Sequence, residues 1–142
     1  MTIEPLETNF ASAHYDDATR IIHIAYRGYL TSEASSEVYA WLKTVVDEAG
    51  VENIYGEIFD FRGVLEFMPD NLMDARKKAR GLNLRLEQLF PVAMVVKDFY
   101  QEEILRGPMQ NVPENTRKRI VRTPEEALAF LDEWHAQQKE QA

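Results

Sequence analysis

The stretch "ASAHYDDATRIIHIAYRG" sets two runs of alternating, β-prone residues on either side of the turn-forming "DDAT", and the pattern predicts a hairpin. With Tyr15 opposite Arg20, the residues Ala13, Tyr15, Ile22, Ile24 and Tyr26 fall on one face. Ser12, His14, Ile21, His23 and Ala25 fall on the other, and the first set is the better core face. The period then lengthens to that of a helix. In "LTSEASSEVYAWLKTVVDEAG", Val38, Trp41, Leu42, Val45 and Ala49 recur at helical spacing behind the cap residues Thr31 and Ser32. Glu33 suits the first turn and Gly50 supplies the stop.

A strand is expected from about Ile54 to Phe61, apolar enough at its end to lie inside a sheet. Pro69 suits the first turn of a second helix, which carries "NLMDARKKARGL" and ends near Gly81. The run "PVAMVVK" from Pro91 is a buried strand. Asp98 and Gln101 then form a capping-box-like start to a third helix that stops before Gly107 and Pro108. "RKRIVR" is short and polar, as a sheet edge would be. Thr123, Pro124 and Glu126 fit the N-cap, N1 and N3 positions of a last helix, with Leu128, Leu131 and Trp134 toward the core. Strands alternating with helices need crossover connections, so the class is α/β. The expected sheet is mixed, mostly parallel and five-stranded, with an N-terminal β-hairpin and about four helices.

The 142 residues, 45% of them apolar, suffice for a single core, and one domain over 1–142 is expected, with a frayed tail at 137–142. Composition mainly removes alternatives. With 24 acids against 16 Lys plus Arg, the net charge of -8 repels phosphate backbones, so no nucleic-acid partner is expected. The absence of cysteine rules out disulfides, thiolate nucleophiles and Cys-based zinc sites. No apolar run approaches the roughly 20 residues of a membrane helix, and "MTIEPLETNF" lacks the features of a signal peptide. A cytoplasmic location and no membrane span are expected.

The stretch "FDFRGVLEFMPDNL", Phe59 to Leu72, carries a resemblance. Together with the order of elements from about Phe10 to Trp134, it resembles a STAS domain. That is the fold of bacterial anti-anti-sigma factors and of the cytoplasmic tails of sulfate transporters, and the nearest branch is called SpoIIAA-like or STAS/Sec14-like. In the anti-anti-sigma proteins a strand runs into an Asp, an apolar loop, a second Asp, a phosphorylated Ser, a small residue, a Gly and a Leu. Asp60 matches the first Asp, Val64 and Phe67 the loop, and Leu72 the final Leu. Met68 stands at the second Asp, Pro69 at the Ser, Asp70 at the small residue and Asn71 at the Gly. Proline has no hydroxyl to phosphorylate, and the lone Asp70 carboxylate carries less charge and fewer acceptor oxygens than a phosphate.

The remaining chemistry is sparse. His14 and His23 fall diagonally on one hairpin face, within reach of a shared metal, but a two-histidine set without a third ligand is equally a pair of polar residues on a half-covered sheet. Arg76, Lys77, Lys78, Arg80 and Arg85 form either a solvated helix face or a surface for an anionic ligand or acidic partner. Asp60 and Glu66 could pair as carboxylates, yet nothing supplies the rest of a mechanism, and no G-x-S-x-G elbow, phosphate loop or G-x-G-x-x-G occurs.

The resemblance therefore implies a non-enzymatic regulatory domain that meets a protein partner through residues 62–80. The expected binding residues are Asp60, Arg62, Met68, Pro69, Asp70, Asn71, Arg76 and Lys77, with no catalytic residue, no metal and no cofactor; homodimerisation is compatible with this. The alternative is a small carrier of an apolar or lipid-like ligand, held by Leu and Met side chains of the second and third helices.

Overall fold

The computed structural model describes residues 3–68, 90–110 and 117–141, without the side chains of 107–110 and 141. Its strands are β1 (Leu6–Glu7), β2 (Ala11–Asp16), β3 (Ile21–Leu30), β4 (Gly56–Phe67), β5 (Val92–Val95) and β6 (Lys118–Val121). The helices are α1 (Ser32–Ala49), α2 (Phe99–Gln110) and α3 (Pro124–Gln141), with a 3-10 turn at Val51–Asn53. The strands form one sheet in the order β1-β2-β3-β4-β5-β6. The first two pairings are antiparallel and the other three parallel.

The sheet is thus mixed, as expected, but has six strands rather than five, and three helices are present among the described residues rather than about four. The additional strand, β1, is two residues long, too short for any alternation to reveal. It is held by pairing Leu6 with Ala13 and Glu7 with Ser12, and by the Thr8 hydroxyl, which accepts from the Phe10 and Ala11 amides. The helix expected over "NLMDARKKARGL" lies outside the described residues. The third expected helix, α2, runs on to Gln110, past Gly107 and Pro108.

The hairpin register pairs Tyr15 with Ile22 rather than Arg20. The shift is an even number of residues, so the faces are as expected. Asp16 Oδ1 accepts from the Ala18 and Thr19 amides, and Arg20 closes the loop with φ 62°. These local bonds fix a longer loop than the minimal hairpin that the pattern suggests.

Among the described residues, helices cover the two faces unequally. On one face Val38, Leu42 and Val45 of α1 and Leu105 of α2 pack on Ile22, Ile24, Tyr26, Phe59, Val92 and Met94. On the other, Ala127, Phe130, Leu131 and Trp134 of α3 pack on Ile58, Ala93, Val95 and Val121. Successive parallel strands laid down in one direction with right-handed crossovers put their connecting helices on one face, and only a terminal helix is free to take the other. Leu128 was expected in this core; it is 44% exposed, because the stripe of α3 that touches the sheet is centred on Ala127, Leu131 and Trp134.

Candidate functional site

The stretch read as strand, loop and turn is for the most part strand. β4 does not end near Asp60 or Phe61 but continues to Phe67, beside a ten-residue β3 that pairs with it as far as Leu30 opposite Phe67. Register shifts between Ala25 and Arg27 and between Gly28 and Tyr29 break the alternation. From Phe61 to Phe67 every third residue is buried, a period that a sequence pattern does not announce as β. Gly63 is needed at this irregularity, since a Cβ there would stand 2.9 Å from the Tyr26 carbonyl oxygen.

β5 pairs with β4 only from Glu57 to Asp60. Beyond that point the β5 side of β4 is served by a side chain. The buried Gln101 of α2 donates from its amide nitrogen to the carbonyls of Phe61, at 2.9 Å, and Val64, at 3.1 Å, while its Oε1 accepts from the Lys97 amide at 2.9 Å. The Gln101 amide in turn donates to Asp98 Oδ1, so the expected cap is present and also anchors the arm. The arm and the first turn of α2 together expose Tyr29 (52%), Leu65 (72%), Phe99 (66%) and Tyr100 (66%).

Of the expected binding residues, the structure joins two. Asp60 accepts from the Arg62 amide and Nε through Oδ1 and from Nη2, at 2.8 Å, through Oδ2. Burial pushes the Asp60 carboxyl up, but the hydrogen bonds and charge of Arg62 outweigh it and hold the group below its ordinary value. Arg62 is held above its own by the same pair. Met68 follows β4, half-buried, and its amide donates to the Leu30 carbonyl. Pro69, Asp70, Asn71, Arg76 and Lys77 lie outside the described residues. Glu66, offered as a carboxylate partner for Asp60, is exposed and pairs with Tyr29 across the ladder.

Directly paired rather than diagonal, His14 and His23 stack their rings with centroids 4.9 Å apart and planes 10° apart. Burial, then the neighbouring His14, pushes His23 below its ordinary value. Among the described residues no three metal-ligating side chains converge. The pair borders a cleft of about 320 Å³ over the half of the sheet that α3 leaves uncovered.

On the opposite face lies a second polar cluster in which Glu57 and Arg117 are buried and Lys118 is half-buried. Burial pushes Glu57 up to about 7 against the pull of Arg117 and Lys118, and its Oε1 has no hydrogen-bond partner among the described residues. The same surroundings push Lys118 down to about 8, chiefly through burial. Gln101, Leu65 and Glu57 were not singled out as site residues from the sequence. Gln101 carried a signal, as a cap; Leu65 and Glu57 belong to a strand whose pairing alone decides which residues face out.

No family model matches the chain, and no curated protein does. Solved structures do. An uncharacterized protein of the DUF3478 family with a SpoIIAA-like fold, from Shewanella loihica PV-4, is similar at 16% identity, TM-score 0.59, over 89% of this chain and 98% of that one. An anti-sigma factor antagonist from Mycobacterium paratuberculosis is similar at 13% identity, TM-score 0.59, over 89% and 99%. The anti-sigma factor antagonist SpoIIAA in its unphosphorylated form is similar at 10% identity, TM-score 0.53, over 89% and 93%. The chain has the SpoIIAA-like, STAS-like α/β fold. No helix among the described residues is long and apolar enough to cross a membrane.

Proposed function

We propose that this chain is a non-enzymatic regulatory domain that binds a protein partner through the end of β4 and residues 62–80, without phosphorylation control at position 69. The observation that carries the reading is the β3–β4 arm. It projects past β5, is braced by Gln101, and with the start of α2 exposes Tyr29, Leu65, Phe99 and Tyr100. Exposed aromatic and leucine side chains on a rigid frame suit a protein interface. Two of the similar structures are anti-sigma factor antagonists, one solved in its unphosphorylated form, which supports a partner-binding role for the same frame. Pro69 cannot carry a phosphoryl group on a hydroxyl, so binding here is constitutive or set by some other input. A carboxylate held low by Arg62 is a poor proton acceptor, which argues against the acid–base use of Asp60.

The test is capture of a partner by the wild-type chain from extracts of its source, repeated with Leu65→Asp and with Arg76→Glu/Lys77→Glu. Loss of the same partner with both variants supports the reading, and unchanged capture with both moves the interface elsewhere. The carrier alternative draws on Leu and Met side chains of the second and third expected helices, of which the second lies outside the described residues, and is tested by native mass spectrometry for a stoichiometric lipid.

A further inference from the structure

The face of the sheet under α1 buries a carboxyl that partner binding does not use. The register sets Glu57 between the buried Ile22 and Val92 and puts Lys118 in the same row, one strand beyond Val92. Glu57 is 3% exposed, and its Oε1 accepts from no described residue. A neutral carboxyl at that depth tolerates a missing donor far better than a carboxylate, which has no proton of its own to give and a full charge to satisfy.

Four titratable groups face it. Tyr26 of β3 and Tyr39 of α1 are phenols that burial keeps neutral, and Arg117 and Lys118 are the cations. Burial pushes Lys118 down to about 8, whereas a guanidinium stays charged across the whole range in which carboxyls and amines titrate. Arg117 is itself buried and is turned to the chain just ahead of β5. Its Nε donates to the Phe90 carbonyl at 2.6 Å, and its guanidinium lies over the Phe90 ring, 5.4 Å from the centroid. The next carbonyl, that of Pro91, accepts from the Glu57 amide at 3.0 Å. Phe90 and Pro91 are therefore pinned from two sides, by the Arg117 side chain and by the backbone of the residue whose carboxyl lacks a donor.

We propose that Glu57 and Arg117 form a pH-operated latch on the entry to β5. With Glu57 neutral, Arg117 holds the Phe90 carbonyl; when Glu57 gives its proton to solvent, the guanidinium turns to the new carboxylate and releases that carbonyl. The exchange is favoured because a buried carboxylate without a donor costs more than a carbonyl without one. Burial pushes Glu57 up to about 7, so the latch is closed below neutral pH and opens above it. It lies on the α1 side of the sheet and does not depend on the partner-binding reading.

The test is an NMR pH titration of the full, isotope-labelled chain that follows the Glu57 carboxyl carbon and the Arg117 Nε–H signal together. Both are expected to move with one shared midpoint near neutral pH. Above it the Arg117 Nε proton should exchange with solvent about tenfold faster than the change in pH alone gives, as a lost hydrogen bond requires. In Glu57→Gln, which stays neutral, the Arg117 signal should keep its low-pH position throughout. The comparison of midpoints is made in the wild-type chain, so a poorly folding variant does not remove the test. An Arg117 signal that stays still while Glu57 titrates, the same movement in Glu57→Gln, or a Glu57 carboxyl that titrates at its ordinary 4.5 would each overturn the latch.

Discussion

The side-chain amide of Gln101 donates to the main-chain carbonyl of Phe61 at 2.9 Å, forty residues away in the chain, and takes the place of a neighbouring strand. A second bond, to the Val64 carbonyl, extends the substitution past the end of β5. A buried carbonyl that loses its donor is costly to leave unpaired.

Gln101→Leu keeps the volume and removes both donors, so it should destabilise the fold by about 2–4 kcal/mol, the cost of two stranded carbonyls. The measurement is a shift in the urea midpoint with an unchanged slope. Faster amide exchange at residues 61–67 than in the rest of the sheet would locate the loss in the arm.

Glu57 is expected to make stability fall as pH rises. Its carboxyl is raised from an ordinary 4.5 to about 7 by burial, so the native state holds a proton that the unfolded chain has released. The contribution is whole below the ordinary value and is lost as pH climbs through about 7. Across that window the native state should lose about 3 kcal/mol relative to a chain without this group. Glu57→Gln should flatten the profile between pH 4.5 and 7, where Lys118, pushed down to about 8, is still charged. An unchanged profile in urea titrations at several pH values would remove Glu57 as its source.

Asp60 acts with the opposite sign. Its carboxyl is held below the ordinary range, so the ion pair with Arg62 stabilises above the unfolded value, and that contribution disappears as pH falls through the lowered one. Arg62 is exposed, so Arg62→Gln should cost less than about 1 kcal/mol at neutral pH, read from the same urea titrations.

Gly56→Ala should destabilise through contact rather than backbone conformation. A Cβ at this position would stand 2.7 and 2.9 Å from the two Leu131 methyls and 3.2 Å from the Pro91 oxygen. Leu131 is fully buried and has little room to yield, so a loss of about 1–3 kcal/mol is expected by thermal or urea unfolding. The pair Gly56→Ala with Leu131→Ala should cost less than the sum of the two singles.

Thr123→Ala removes the hydroxyl that accepts from the Glu126 amide at 3.1 Å and should cost about 1 kcal/mol. Leu65→Ser, by contrast, changes a side chain that is 72% exposed and should leave stability within about 0.5 kcal/mol, so any loss of partner capture with it reports on the surface.

Local signals in the sequence determined the elements whose ends carry their own chemistry. Thr31 caps α1 by accepting from the Ala34 amide, Gly50 ends the helix with φ 86°, and Thr123 caps α3, each as its residue type predicts. The two hairpin faces were legible too, because alternation survives an even register shift. The length of β4, the strand β1 and the exposure of Leu128 were decided by tertiary pairing. Pairing with β3 carries β4 six residues past the expected end at Phe61, across two register shifts, and no local period survives such shifts. The same holds for the site: the sequence marks Asp60, Arg62, His14 and His23 as unusual, but only the folded sheet pairs the first two, stacks the others and leaves an open cleft between them. Contacts between distant strands depend on how the whole sheet closes, and that free energy is not written in any one segment.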